Sequence, residues 1–453
     1  MTSALTDAAA SRPASGPARP RILPQQPGHG EPLGSTSAEA SATASAEARG
    51  HIGQLTGIRT VAAVWVLLFH FRHHLTAQVP FFWSMLPWVN VGYLGVDLFF
   101  LLSGYILTYT HIERMTPWSP QAAGAFLWLR LARIWPVLVV MLLAFGTYNA
   151  AWMIGSHEAA HDRSLDPARL LAHLTLVHAW GSTGLDWNGV DWSLSAEWLA
   201  YLGFAVTAGA LARLRRRVTS RALVACASAA IMPVVLTGLA LEDGTNLMLA
   251  ADGLRPGMVP VRVLSEFTCG ALVAILVLRR LPAARLPHVL RPVPVALAIL
   301  VAIWLIGAFD PLRRPFLDRT WLVDGHPMLG STETVLVVPL LALLIAGLAS
   351  ADRDPITRLL ASRPMVWGGR VSFALYMCHL LCLDVLERVL PRLPEGRPRA
   401  LALALGLGSS VLLAFLLYRY VEEPCRKAMR SMLPASMRQP RDAETVSAPP
   451  SVG

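Results

Sequence analysis

The feature that most constrains this chain is a run of apolar stretches, each close to 20 residues, repeated along most of its length. Ten can be marked, at about 56–75, 91–110, 134–154, 192–212, 221–240, 261–279, 292–309, 333–349, 366–390 and 400–420. A helix rises 1.5 Å per residue, so roughly 17 to 25 apolar residues cover the hydrocarbon core of a bilayer. Inside lipid every backbone N–H and C=O must find a partner within the protein, which leaves helices as the form such stretches take. The expected fold is therefore an all-α integral membrane protein, a polytopic bundle of about ten transmembrane helices. Only 15% of residues are charged and 54% are hydrophobic, against about 25% charged in ordinary soluble chains. The segment 168–180 is amphipathic and too short to cross, and reads as re-entrant or interfacial. Glycines scattered through the stretches suggest close helix packing.

Residues 1–50 are rich in Ala, Ser, Pro, Gly and Glu with no apolar periodicity, and are expected to form a disordered cytoplasmic leader. No cleaved signal peptide is expected. The membrane domain then runs over 51–430, and 431–453 reads as a disordered cytoplasmic tail. The links near 111–133, 213–221, 279–291 and 350–370 are Arg-rich, while those near 76–90, 155–191 and 241–260 are uncharged or acidic. That alternation places both termini in the cytoplasm of a bacterial-type inner membrane. The link 391–399, with Arg392, Arg397 and Arg399, breaks the trend. The net charge of +10 sits in short links, so it reflects this bias, and nucleic acid is not an expected partner. Cys226, Cys269, Cys378, Cys382 and Cys425 show neither structural-metal spacing nor a disulfide framework. No metal and no permanently bound cofactor is expected. No Gly-rich nucleotide loop is found either.

Ionisable groups inside apolar spans are costly and mark cavities or pathways. In "LTGIRTVAAVWVLLFHF", Arg59 and His70 are eleven residues apart, about three helical turns, so they share a face. They lie about 16 Å apart along the axis. Arg59 reads equally as a snorkelling anchor. His70 reads either as a packing imidazole or as a general base for an attacking hydroxyl. His73 and His74 read as interface residues. Asp97, in "GYLGVDLFFLLSGYILTYTH", needs a cationic or histidine partner; meeting His70, it would fix the ring's tautomer. Arg130 and Arg133, three apart before the third span, suit a phosphorylated ligand or positive-inside anchoring alike. In "DWSLSAEWLAY", Glu197 reads as a second cavity carboxylate or as a helix anchor. Arg262 and Glu266 form an i,i+4 pair, read mainly as structural. "GGRVSFALYMCHL" adds Tyr376 and a second buried imidazole, His379.

Together with "RLARIWP", "FTCG" and "VEEPCRK", these segments resemble acyltransferase family 3, whose integral membrane members O-acylate polysaccharides, envelope glycans, Nod-factor-like oligosaccharides and macrolides. The resemblance covers about 54–427. It implies His70 as the essential histidine, with Arg59, Arg130 and Arg133 handling the acyl donor. Asp97, Ser103, Tyr105, Glu197, Tyr376 and His379 match recurrent polar positions of the central cavity. The chain resembles the stand-alone type. "LTG" stands where many members have "LDG" before the arginine, a pattern that points weakly to a small-molecule acceptor.

The expected reaction is transfer of an acetyl or other short acyl group from acyl-CoA, a co-substrate, to a hydroxyl of a glycan or macrolide-like acceptor. Asp97 and Glu197 are candidate carboxylates beside the His70 base. A transporter or flippase using the same buried polar groups is the competing reading. Acceptor, acyl length and oligomeric state are not encoded in any recognisable pattern.

Overall fold

The computed structural model describes residues 35–156, 165–181, 187–240, 249–250, 253–254, 258–279, 287–309, 331–350 and 354–434. The chain divides into two compact units, Met1–Glu47 and Ala48–Gly453. Of the expected leader and tail, residues 1–34 and 435–453 lie outside the described residues. The helices are α1 (Ser35–Gln78), α2 (Phe81–Val89), α3 (Leu94–His111), α4 (Pro120–Ser156), α5 (Pro167–Leu174), α6 (Trp192–Arg217) and α7 (Ser220–Ala240). They continue with α8 (Met258–Leu278), α9 (Pro292–Phe309), α10 (Ser331–Ser350), α11 (Pro355–Leu360), α12 (Arg363–Val389), α13 (Arg397–Leu417) and α14 (Glu423–Ser431). The extended structure among the described residues is one antiparallel pair, β1 (Leu249–Ala250) with β2 (Gly253–Leu254), in which Leu249 faces Leu254.

Each of the ten apolar stretches falls largely on one of these helices. Among the described residues, six helices are long and apolar enough to cross a membrane: Gly53–Gln78 of α1, α4, α6, α7, α8 and α13 continued into α14. The pair α2–α3, bent by 44°, makes a seventh when counted as one span. The apolar parts of α9 and α10 are shorter, Pro292–Gly307 and Thr334–Ser350. α12 also has the length, 27 residues, with Asp384, Glu387 and Arg388 gathered toward its C-terminal end. The helical bundle is thus as expected, while the expected count of about ten crossings is not confirmed among the described residues. The apolar window of α7 is only 22% buried, and Leu143, Val206, Leu297 and Leu405 lie exposed on their helices. Such apolar outer faces are what lipid, acting as solvent, permits.

Three boundaries differ from the sequence reading. α4 begins at Pro120, so Arg130 and Arg133 lie within the helix and not in a link before it. Pro136 is tolerated inside because Phe126, Ile134, Val137 and Leu138 are buried along the same helix and outweigh one lost backbone bond. The segment 168–180 folds as the short α5 and a turn. α5 starts from an Asp166 cap accepting the Ala168 N–H, with Pro167 in its first turn. Beyond the apolar stretch ending near residue 420, the last helix continues through a π turn, Tyr418–Glu422, into α14, which ends at Ser431. That wider turn relieves the clash Pro424 would make with the preceding turn. The arginines of 391–399 that broke the charge alternation are locally engaged. Arg392 lies 5.4 Å from the centroid of the Trp152 ring, and Arg399 donates to the Leu393 carbonyl.

Glycines set the closest helix contacts. A Cβ on Gly104 of α3 would lie 2.0 Å from the Phe267 carbonyl oxygen of α8, and one on Gly270 of α8 would lie 2.0 Å from that of Leu101. α1 is approached the same way. Gly369 of α12 faces the Thr56 carbonyl, Gly57 faces that of Leu360, and Gly92 and Gly95 face those of Trp65 and Ala62. Two apolar clusters fill the interior. One is built mainly from α4, α6 and α12, the other from α3, α8, α9 and α10, and Phe99 packs against both. Gly104→Ala should drive α3 and α8 apart at a cost of about 1–3 kcal/mol, whereas Gly408→Ala, which meets nothing within 4 Å, should stay within about 0.5 kcal/mol of wild type. Thermal unfolding of the purified variants in detergent measures this, and equal behaviour of the two would contradict the packing.

Candidate functional site

Four helices enclose a cleft of about 440 Å³, counted out to its open mouth. α1 contributes Arg59; α3 contributes Val96, Phe99, Phe100 and Ser103; α6 contributes Ser193, Leu194 and Glu197; α12 contributes Phe373 and Tyr376. Steps of three and four residues put each set on one helical face. Ser103 donates to Glu197 Oε1 at 2.6 Å, and Tyr201, one turn along α6, donates to the same oxygen at 2.5 Å. Ser193 donates to the Tyr376 oxygen at 2.8 Å, and Tyr376 donates to the Val190 carbonyl at 2.9 Å. The Arg59 guanidinium carbon lies 5.8 Å from the Phe99 ring centroid. The cleft therefore offers one cation, one carboxylate and three hydroxyls within aromatic walls.

His379 follows Tyr376 by one turn of α12, with the ring centroids 6.0 Å apart. It reaches across to α1, where its Nε2 lies 3.1 Å from His70 Nδ1. The tautomers follow from the remaining partners. His379 Nδ1 lies 2.8 Å from the Tyr376 carbonyl and 3.2 Å from that of Leu375. Carbonyls only accept, so His379 carries its proton on Nδ1 and offers a lone pair at Nε2. His70 Nδ1 lies 2.9 Å from the Val66 carbonyl, so it too carries the proton. Its hydrogen faces both Val66 and His379, and the lone pair is left on Nε2. A base with a fixed tautomer results, with a second imidazole placed to accept from it.

The sequence-predicted residues separate into groups. Arg59, Ser103, Glu197 and Tyr376 line the cleft together, and His379 links Tyr376 to His70. Asp97 does not meet His70. It is fully buried and bound in a two-pronged ion pair by Arg262 of α8, with Nε to Oδ1 at 2.8 Å and Nη2 to Oδ2. Arg262 Nε also lies 3.5 Å from Glu266 Oε1, as the i,i+4 spacing implied. The reason is geometric: α3 and α8 touch through Gly104 and Gly270, which brings Asp97 and Arg262 to the same seam. Tyr105 is buried and stacks on Tyr109 at 5.9 Å, away from the cleft lining. Arg130 lies over Phe126, its guanidinium carbon 5.8 Å from the ring centroid, and Arg133 follows it on α4.

Sequence reasoning did not single out Phe99, Tyr201 or the Asp97–Arg262 pair, although matched Asp and Arg near glycines on two spans was a usable signal. It also passed over one buried cluster. His173 closes α5, His178 follows in the next turn, and Asp191 directly precedes α6. His173 Nδ1 lies 2.7 Å from Asp191 Oδ2, and His178 Nε2 lies 3.0 Å from Oδ1. The two imidazoles stack at 3.8 Å and 17°. Burial works against the charge of Asp191, but hydrogen bonds from His173 and His178 more than offset it and hold the carboxyl below its usual range. Among the described residues, these three are the group whose ligand atoms converge as a metal ion would need, all within 4.8 Å of one another.

Residues 52–419 match the family model described as an acyltransferase domain. The acyltransferase MdmB of Streptomyces mycarofaciens is 26% identical over 400 residues, which cover 84% of this chain and 93% of that protein. A putative O-acetyltransferase of Staphylococcus aureus strain COL, SACOL0978, is 22% identical over 83% of this chain and 58% of its own length. The peptidoglycan O-acetyltransferase OatA of Listeria monocytogenes is 22% identical over 84% of this chain and 56% of its own. The chain thus spans nearly all of the first relative and little more than half of the other two. No solved structure gives a significant match. The match over residues 52–419, most of the chain, shows that it belongs to acyltransferase family 3.

Proposed function

We propose that this chain is a membrane O-acyltransferase that moves an acetyl or other short acyl group from acyl-CoA to a hydroxyl of a carbohydrate or macrolide-like acceptor. The observation that carries the reading is the His70–His379 pair, with its tautomers set by backbone carbonyls, beside a cleft of hydroxyls, a carboxylate and one arginine. His70 Nε2 takes the proton of the acceptor hydroxyl as the oxygen attacks the thioester carbonyl. The C–S bond then breaks, and the coenzyme leaves as a thiol with the proton returned by the imidazolium. His379 acts through His70: its Nε2 accepts from His70 Nδ1–H and favours the imidazolium, the duty a carboxylate performs in a Ser-His-Asp triad.

In the same reading Arg59, about 16 Å along α1 from His70, handles the acyl donor together with the arginines of α4. Arg130 and Arg133 hold the phosphates of the coenzyme through forked hydrogen bonds. Glu197, engaged by Ser103 and Tyr201, positions the cleft hydroxyls, and Asp97 positions α3 through Arg262. The protein sits in a bacterial-type inner membrane with both termini in the cytoplasm, so that a cytosolic donor reaches the arginines of α4.

The reading is tested by mass spectrometry of envelope glycans and secreted small molecules from cells with wild-type protein or His70→Ala at matched membrane levels. Loss of one acyl-sized mass is expected, with activity down about 10²–10⁴-fold; unchanged acylation, where complete deletion removes it, contradicts the assignment. His379→Ala should lower kcat with little change in KM, while His379→Gln, which restores an acceptor, should recover part of it. Equal loss in both variants would assign His379 to packing alone. Arg130→Gln combined with Arg133→Gln should raise KM for acetyl-CoA by roughly 10–100-fold, as expected for lost charge-assisted hydrogen bonds. KM for the acceptor should hold steady.

A further inference from the structure

We propose that His173, His178 and Asp191 form a binding site for one divalent cation of the zinc kind, set in the link between α5 and α6. The donors are two imidazole nitrogens and a carboxylate oxygen, on side chains with 1%, 1% and 0% exposure. All three ligand atoms lie within 4.8 Å of one another. Zn²⁺ takes such a set at about 2.0–2.2 Å per bond in a tetrahedron, with the fourth position open to water or another ligand. Small outward shifts of the two rings from their present 2.7 and 3.0 Å contacts open the room required. Without thiolates, the set suits borderline cations bound by nitrogen and oxygen, not soft ones.

The two rings, stacked at 3.8 Å, each present a nitrogen to a different oxygen of one carboxylate, so a single divalent ion there is met by both rings at once, and Asp191 offsets half its charge. The ligands come from three places in the chain: the last turn of α5, the turn around Leu176, which takes a φ of 61°, and the residue before α6. That turn is already tied to α6, since Ser195 donates to the Leu176 carbonyl and Trp180 donates to the Ser195 carbonyl. The bound ion is structural. It clamps the link against the start of α6, where Val190 and Ser193 hold the Tyr376 hydroxyl.

The test uses the full chain carrying no histidine tag, purified in detergent, stripped with chelator, loaded with Zn²⁺ and desalted. Elemental analysis should find about one zinc per chain, lost in His178→Gln and kept in His70→Gln, with a higher Tm for the loaded wild type. Monodisperse wild type that retains no zinc overturns the proposal, as does zinc retained in His178→Gln or lost in His70→Gln. Should His178→Gln fail to fold, X-ray absorption of the zinc-loaded wild type decides. Two imidazoles with oxygen ligands support the site; sulfur ligation or an all-oxygen shell overturns it. None of these readouts depends on acyl transfer.

Discussion

The Asp97–Arg262 pair is the interaction on which the rest of this structure leans. Removing a carboxylate and a guanidinium from water costs several kcal/mol per ion, and only close, two-pronged contact recovers it. Here that contact is made between α3 and α8, where Gly104 and Gly270 let the backbones meet. The pair and the glycine seam require each other. Without the glycines the ions could not approach, and without the ions the seam would gain only dispersion. α3 is thereby fixed in rotation, and its opposite face presents Phe99 and Ser103 to the cleft.

The cleft lies where the two apolar clusters adjoin, and Phe99 belongs to the boundary of both. Such a position gives dry aromatic walls while four helices each supply polar groups from one face. A hydrogen bond or charge there is stronger than in water because little solvent competes. The same burial explains why the polar groups of the cleft pair with one another: Glu197 with Ser103 and Tyr201, Tyr376 with Ser193.

Much of this was legible in the sequence, for physical reasons that differ by element. Apolar runs announced the helices because a membrane-sized helix has one composition and one length. Arg59 and His70 stood out because their spacing fixes a shared face. Ser103, Glu197 and Tyr376 were marked as polar residues in apolar company, and they do gather. What the sequence hid was pairing across helices. His379 rather than Asp97 stands beside His70, because which helix touches α1 depends on Gly57, Gly92, Gly95 and Gly369, whose partners are backbone atoms. The start of α4 was hidden by arginines that resemble a link although a buried apolar face runs through them. The His173–His178–Asp191 cluster was hidden because its members sit in a turn and a helix junction, where no periodicity connects them.

The glycine contacts also decide how each wall of the cleft is held. α1 meets α3 at Gly95, the turn before α3 at Gly92, α11 at Gly57 and α12 at Gly369, and α3 meets α8 at Gly104 and Gly270, so sliding any of them would drive carbonyls into main chain. α6 has no such grip among the described residues; Gly203 and Gly209 meet only side-chain atoms, of Leu264 and Trp118. Its ties at the cleft are hydrogen bonds between side chains, from Ser103 to Glu197 and from Ser193 to Tyr376. The cleft is therefore framed by main-chain contacts of α1, α3 and α12, while α6 reaches it through side chains.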